Sequence, residues 1–416
     1  MRILHVTPYA PDAWAYGGIP RLAGTLARGL ARRGHDVTVC TTDVADATSR
    51  LSPHEDSRDE ARSADAGRAK ASRFGAWPAR RHADGVEFRV FPNLSNRLAY
   101  RHQLFWPIGL NGYLRTHARQ FDIAHLHACR NRPGALAARH LRRAGVPYVL
   151  APNGTAPRLE RRRLAKHAYD AFVGHRVMRG AARVLAVSGA ERGQLHDLGV
   201  APDAIRVIPN PLDLDEFSTP IVRGTFRERH GLPDTRIVLF LGKLTPRKRV
   251  DALIRAFARL ERTDARLVIA GNDMGSGHGL RALVRAHGLQ HRTLFTGLLR
   301  GRDRLEALAD AHVLVYPSQH EIFGLVPLEA LLSHTPVVVA DDCGCGEVIA
   351  STGGGLVTPL GDVAALTQAI ERLLDAPSQW RLAAAAAAIR VRASYASDIV
   401  CSQIDEMYAE IAGPTR

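Results

Sequence analysis

Two carboxylates, Glu321 and Glu329, stand with seven residues between them in the stretch HEIFGLVPLEA, residues 320–330. Phe323-Gly324-Leu325-Val326 forms a tight turn between them, and Pro327 suits the first turn of a helix. Three chemistries fit this spacing: an acid/base pair, a clamp along one ligand, or an ordinary helix start whose early Glu the dipole favours. Successive backbone N–H groups at the turn can hold phosphate oxygens. Glu329, one turn in, could accept hydrogen bonds from a ribose diol.

A second stretch, Gly242-Lys243-Leu244-Thr245-Pro246-Arg247-Lys248-Arg249, sets four cations just before a helix. Cations there oppose the helix dipole unless an anion sits nearby. The reading is phosphate or diphosphate binding, with solvated surface charge as the alternative. Trp14-Ala15-Tyr16-Gly17-Gly18-Ile19 opens the first helix, where glycines let a backbone approach an anion. An ordinary glycine turn is equally compatible. His125-Leu126-His127 ends a strand, and alternation puts both rings on one face. They suit hydrogen bonding to a sugar or phosphate, or a satisfied structural role. Zinc would need further ligands at matching spacing, and none stands out. No D-x-D metal motif is evident, since Asp341 and Asp342 are adjacent.

These groups need elements to position them. The chain has 416 residues, suited to two domains. After a first strand, ILHVTPY, helix-period and strand-period segments alternate to residue 210. The alternation restarts at IVLFLGKL after a proline-rich loop, 211–235. That pattern predicts two doubly wound α/β domains with ligands at the carboxyl ends of the strands. Residues 44–84, rich in Ala, Arg, Asp and Ser, read as a mobile surface insertion. Helices are expected over 378–392 and 397–412.

In order, YGGIPRLAGTLARGLARRGHDVTV, FDIAHLHA, VPYVLAPNGT, IRVIPNPLDLDEF, FLGKLTPRKRVDALIRAF and YPSQHEIFGLVPLEALLSHTPVVVADDCGCGEVI resemble the retaining glycosyltransferases of family 4. The resemblance implies the GT-B fold, two facing Rossmann-like domains with a cleft between them. It implies a 1–210 acceptor-binding domain, on which a helix at about 395–416 packs back, and a 211–394 nucleotide-sugar-binding domain. The implied activity is transfer of a hexose-type sugar from a nucleotide diphosphate sugar to an acceptor hydroxyl, with retention. No cofactor or metal is expected. By resemblance His127 faces sugar and acceptor, Glu321 steadies the donor sugar, and Lys243 and Lys248 neutralise the leaving diphosphate. Gly17, Gly18, Asn210, Phe323, Gly324, Leu325, Val326 and Glu329 are the implied donor-binding residues. Departures from the family pattern include Lys243 for Arg, Arg249 for Gly, Ile322 for Gly, and Ser333-His334 for Cys-Gly.

Residues 1–210 hold 33 Lys and Arg against 17 Asp and Glu, whereas the remainder is nearly balanced. Such a half attracts polyanions, or reflects an Arg-rich composition. The basic stretch 159–180 could face an anionic membrane surface or a lipid-linked acceptor. Without transferase activity, a polyanion- or membrane-surface-binding protein is the alternative, and an epimerase or phosphorylase on the same fold a third. Low aromatic content, 6%, and the lack of a recognisable motif argue against nucleic acid. Five irregularly spaced cysteines suggest a reducing compartment, and the expected location is cytoplasmic, peripheral at the inner membrane face.

Overall fold

Strands that read as unbroken apolar runs must be covered on both faces, and parallel sheets do that with crossover helices. A computed structural model describes residues 1–10, 13–51, 79–157, 163–232 and 234–413. It divides into two units.

The first unit comprises Met1–Ala186, Gln194–Arg206 and Cys401–Arg416. Its sheet uses β1 (Arg2–Val6), β2 (Asp36–Thr42), β3 (Ala79–Ala83), β4 (Val86–Phe91), β5 (Ile123–His127), β6 (Tyr148–Ala151), β7 (Arg183–Ala186) and β8 (Ile205–Val207). The order is β3-β4-β2-β1-β5-β6-β7-β8, with β3 antiparallel to β4. Central β1 and β5 pair in parallel, His5 opposite His125. The helix Arg132–Ala144 starts on Asn131, whose side chain accepts from the Gly134 N–H at 2.7 Å, and stops at left-handed Gly145.

Two local signals were stronger than the composition suggested. The end of the expected 44–84 insertion is strand β3, joined to β4 by Asp84-Gly85, both at positive φ. A D-G pair of this kind makes a two-residue hairpin turn. Of that insertion, 52–78 lie outside the described residues. The helix Asn96–His102, capped by Ser95, was also not anticipated. The basic stretch 159–180, whose residues 159–162 are outside the described set, runs as helix Arg163–Tyr169, a π-type turn Asp170–Gly174, and helix His175–Arg179. Arg130 draws the Asp170 carboxylate inward with bonds of 2.9 and 2.8 Å. A Cβ on Gly174 would lie 2.5 Å from an Asp170 oxygen, so glycine leaves room for that turn.

The second unit comprises Val187–Gly193 and Val207–Val400. Its strands are β9 (Arg236–Leu241), β10 (Ala265–Ala270), β11 (Thr293–Gly297), β12 (Val313–Tyr316), β13 (Val337–Ala340) and β14 (Gly355–Thr358). The order is β11-β10-β9-β12-β13-β14, every pair parallel. A helix at Gly344–Thr352, between β13 and β14, is an addition to the sequence reading. The carboxyl ends of β9 and β10 are in close contact, because a Cβ on Gly271 would meet the Gly242 carbonyl oxygen at 1.8 Å. Among the described residues no helix is long and apolar enough to cross a membrane.

The departures from glycine have a cost visible in the backbone. Arg249 at φ 48 and His334 at φ 58 both adopt the left-handed conformation. An L-residue with a side chain is disfavoured there. His334 sits at a helix end and Arg249 at a helix start. Replacing His334 with Gly is expected to stabilise the protein by about 0.5–1 kcal/mol, since relieved strain outweighs the added chain entropy. Urea unfolding of the two forms measures this, and a lower midpoint for His334→Gly would contradict it.

Candidate active site

Parallel strands deliver their loops to one edge, and in the second unit β9 and β12 bring the two predicted stretches together. Lys248 ends a short 3-10 turn, Pro246–Lys248, after β9. Its ammonium bonds both the Glu321 carboxylate and the Tyr316 hydroxyl. Tyr316, the last residue of β12, also donates to Glu321 at 3.1 Å. The Lys248 and Glu321 side chains are 15% and 23% exposed, so the pair is sheltered yet reachable. Burial opposes the Lys248 charge, but the Glu321 carboxylate outweighs it and the ammonium is held well above its usual pKa. Burial likewise opposes the Glu321 charge, yet Lys248 pulls that carboxyl below the usual range. Tyr316 was not singled out from sequence, because a tyrosine closing a buried strand carries no distinguishing pattern.

The loops are cross-tied. Gln319 N–H donates to the Arg247 carbonyl at 2.7 Å, and an Arg247 guanidinium N–H donates to the His320 carbonyl at 2.8 Å. His320 N–H reaches Asp342 at 2.8 Å, and Cys345 N–H reaches the Glu321 carbonyl at 2.7 Å. Gly324, at φ 82, begins the helix Leu325–Leu332, and a Cβ there would strike Cys345 Sγ at 2.4 Å. Ile322 is buried and is not among the positive-φ residues, so this position does not require glycine. Phe323 is buried against Tyr395, whereas Leu325 and Val326 are half-buried at the helix N-terminus. Among the described residues no protein group accepts from the Leu325 or Val326 N–H, leaving both for an anion.

Glu329 lies apart from Glu321 in its contacts. It is 1% exposed and ion-paired with buried Arg304, which also binds Glu216. The two glutamates therefore do not form an acid/base pair: one faces Lys248, the other Arg304. Lys243 follows left-handed Gly242 and is half-buried, and Asn210 is buried.

In the first unit Gly17, at φ 89, precedes the helix Gly18–Arg32. His127 is 1% exposed and joins His5 and His125 in a buried stack. His5 Nδ1 and His127 Nε2 are 3.0 Å apart, while His125 Nδ1 lies 2.5 Å from the Tyr408 hydroxyl. The two strand-end rings share a face, with centroids 4.5 Å apart. Burial lowers the His127 pKa to about 3 and holds His5 and His125 well below their usual value. All three are neutral at physiological pH, and His127 Nδ1 has no partner among the described residues. No group of three or more His, Cys, Asp or Glu that could hold a metal occurs among the described residues.

A family model described as glycosyl transferases group 1 matches residues 222–390, and one described as a glycosyl transferase 4-like domain matches residues 17–211. The D-inositol 3-phosphate glycosyltransferase of Stackebrandtia nassauensis is 32% identical over 333 residues, 74% of this chain and 74% of that one. Sucrose-phosphate synthase from Thermosynechococcus elongatus superposes with a TM-score of 0.73 at 20% identity, covering 99% of each chain. Anabaena HepE in complex with UDP and glucose gives 0.73 at 19% identity, covering 99% of this chain and 100% of that one. At these identities the structural likeness establishes the fold, the GT-B pair of parallel α/β domains.

Two titrations follow from the site. The buried histidines have folded pKa values below the unfolded one, so their stabilisation is present above about pH 6.5 and is lost as pH falls toward the folded values. Glu321 adds a second loss, which sets in only below the unfolded carboxyl pKa of about 4.3 as pH falls through its depressed value. Lys248→Met strands the Glu321 carboxylate and is expected to cost about 2 kcal/mol at pH 7, discounted for partial exposure. That cost shrinks in acid as the carboxyl protonates. Thermal melting across pH checks both, and a wild-type melting temperature that stays flat from pH 7 to 4, or a pH-independent Lys248→Met penalty, would refute them.

Proposed function

Because the chain belongs to the 4-like glycosyltransferases, we infer that it moves a hexose-type sugar from a nucleotide diphosphate sugar to an acceptor hydroxyl, with retention. The observation that carries this reading is the Lys248–Glu321–Tyr316 cluster beside the Gly324 turn. A leaving diphosphate needs fixed positive charge and donors already in place. Lys248, Lys243 and the Leu325 and Val326 N–H groups meet that need in the second unit. The family resemblance assigns the Gly17-Gly18 helix start of the first unit to the donor as well.

Lys248 holds Glu321 ionised and fixed in place, so the carboxylate is suited to grip sugar hydroxyls and steady the donor. Its low proton affinity makes it a poor general base. His127, neutral and with one ring nitrogen unpartnered, acts as a hydrogen-bonding positioner for sugar or acceptor. The acceptor proton passes to the departing phosphate oxygen on the face where the sugar is received. That step breaks the sugar–phosphate bond, forms the new glycosidic bond and needs no nucleophile from the protein. Glu329 is assigned to the ribose diol, with Arg304 fixing its orientation. Phe323 and Asn210 complete the donor pocket. With cations supplying the countercharge, transfer proceeds without a metal. HepE was solved with UDP and glucose, so UDP-hexoses are the first donors to test.

A donor-hydrolysis panel of UDP-, GDP-, ADP- and dTDP-sugars, run with EDTA, is expected to give turnover with at least one donor. No nucleotide binding and no hydrolysis across the panel would overturn the enzyme reading, and activity abolished by EDTA would overturn metal independence. Lys248→Met should lower kcat about 10²–10³-fold, the loss typical of one charge-stabilising donor. Glu329→Gln should weaken nucleotide binding about tenfold, the scale of one lost charge-assisted hydrogen bond. Calorimetry showing unchanged affinity would remove its ribose role.

A further inference from the structure

The first unit exposes an apolar group that neither its core nor the proposed chemistry uses. Between β4 and the helix Leu110–His117, Leu94, Leu98, Leu104, Trp106 and Ile108 are 61, 45, 55, 51 and 40% exposed. These side chains stand on a fixed backbone. Leu94 N–H donates to the Trp106 carbonyl at 3.1 Å, and Ile108 N–H to the Pro92 carbonyl at 2.9 Å. The Asn93 side chain takes the Trp106 N–H at 2.6 Å. Buried Phe105 anchors the segment from below, its ring 5.1 Å from Tyr9 and 5.9 Å from Tyr16. The segment is thus pinned inward by Ala99 and Phe105 while larger apolar tips face out.

Within residues 94–108 the charge has one sign, and the adjoining Asp43, which accepts from the Asn93 N–H, is buried and paired with Arg50. Residues 94–108 contain no Asp or Glu, and Arg97, Arg101 and His102 are exposed. The Arg132 guanidinium lies over the Trp106 ring at 3.4 Å. Beside Arg132, the Asn131 carbonyl accepts from the Tyr169 hydroxyl at 3.2 Å, which joins the segment Arg163–Arg179 to the same loop. That segment exposes Phe172 at 73%, together with His175, Arg176 and Arg179. Its one acid, Asp170, is buried and held by Arg130.

We propose that this face docks the protein on an anionic lipid bilayer, with Leu98, Leu104 and Trp106 entering the headgroup region and Arg97, Arg101 and Arg132 meeting lipid phosphates. Apolar tips with a basic surround bind such an interface through buried area and attraction to anionic lipid together. A protein partner would match mixed charge, and a purely polyanionic one would leave the five apolar side chains without a role.

Co-sedimentation of the full chain with vesicles of phosphatidylglycerol and phosphatidylcholine, against phosphatidylcholine alone, tests the proposal. Binding is expected only to the anionic vesicles, weakening as salt rises. The substitution pair Leu98→Gln and Trp106→Gln should cut the partition coefficient about tenfold or more, as should Arg97→Glu with Arg101→Glu. Both pairs are at exposed positions, and unchanged melting temperatures confirm folding. Three results would overturn the proposal: no binding to anionic vesicles, binding that the apolar pair leaves intact, or a dimer in solution that the same pair dissolves. None of these readouts uses turnover, so the docking surface and the transferase reading stand or fall separately.

Discussion

In a parallel sheet every strand ends at the same edge, so every loop that follows a strand is delivered to one place. The site in the second unit depends on that constraint. β9 brings Lys248 and β12 brings Tyr316 and Glu321, from positions more than sixty residues apart, into one hydrogen-bonded cluster. Beside it, Gly271 lets the β9 and β10 ends approach, because a Cβ there would overlap the Gly242 carbonyl. Lose that approach and the loop carrying Lys243 through Arg249 no longer has its platform.

The electrostatics of the cluster set its chemistry. A lysine sheltered with a carboxylate remains charged, and the carboxylate remains ionised because of it. Such a pair is suited to holding developing charge rather than shuttling protons. The histidine stack in the first unit has the opposite character. Three buried rings without a carboxylate partner settle as neutral hydrogen-bonding groups.

The fold tolerates departures from the family pattern unequally. Ile322 replaces a glycine where none is needed and fills the core instead. Arg249 and His334 replace glycines where the backbone does turn left-handed, so there the substitution is bought with strain. The alteration nearest the proposed diphosphate is Lys243, a point charge where a guanidinium would bind bidentately.

Much of this was legible in the sequence because local patterns repeat. Apolar runs broken by amphipathic stretches indicated two parallel α/β domains, whereas the spacing of Glu321 and Glu329 left an acid/base pair open until the structure gave each a separate partner. Helix starts at Asn131 and turns such as Asp84-Gly85 are also local, although β3 was overlooked because its residues, ARRHA, lack the alternation of a strand. Tertiary structure alone decided which side chains meet. Arg304 under Glu329, Tyr316 beside Lys248, His5 against His127, and Tyr408 against His125 join residues separated by 25 to 283 positions. Periodicity specifies which face of an element is buried, but the partner across that face depends on how strands are ordered in the sheet, and one chain's sequence carries that order only through the folded packing itself.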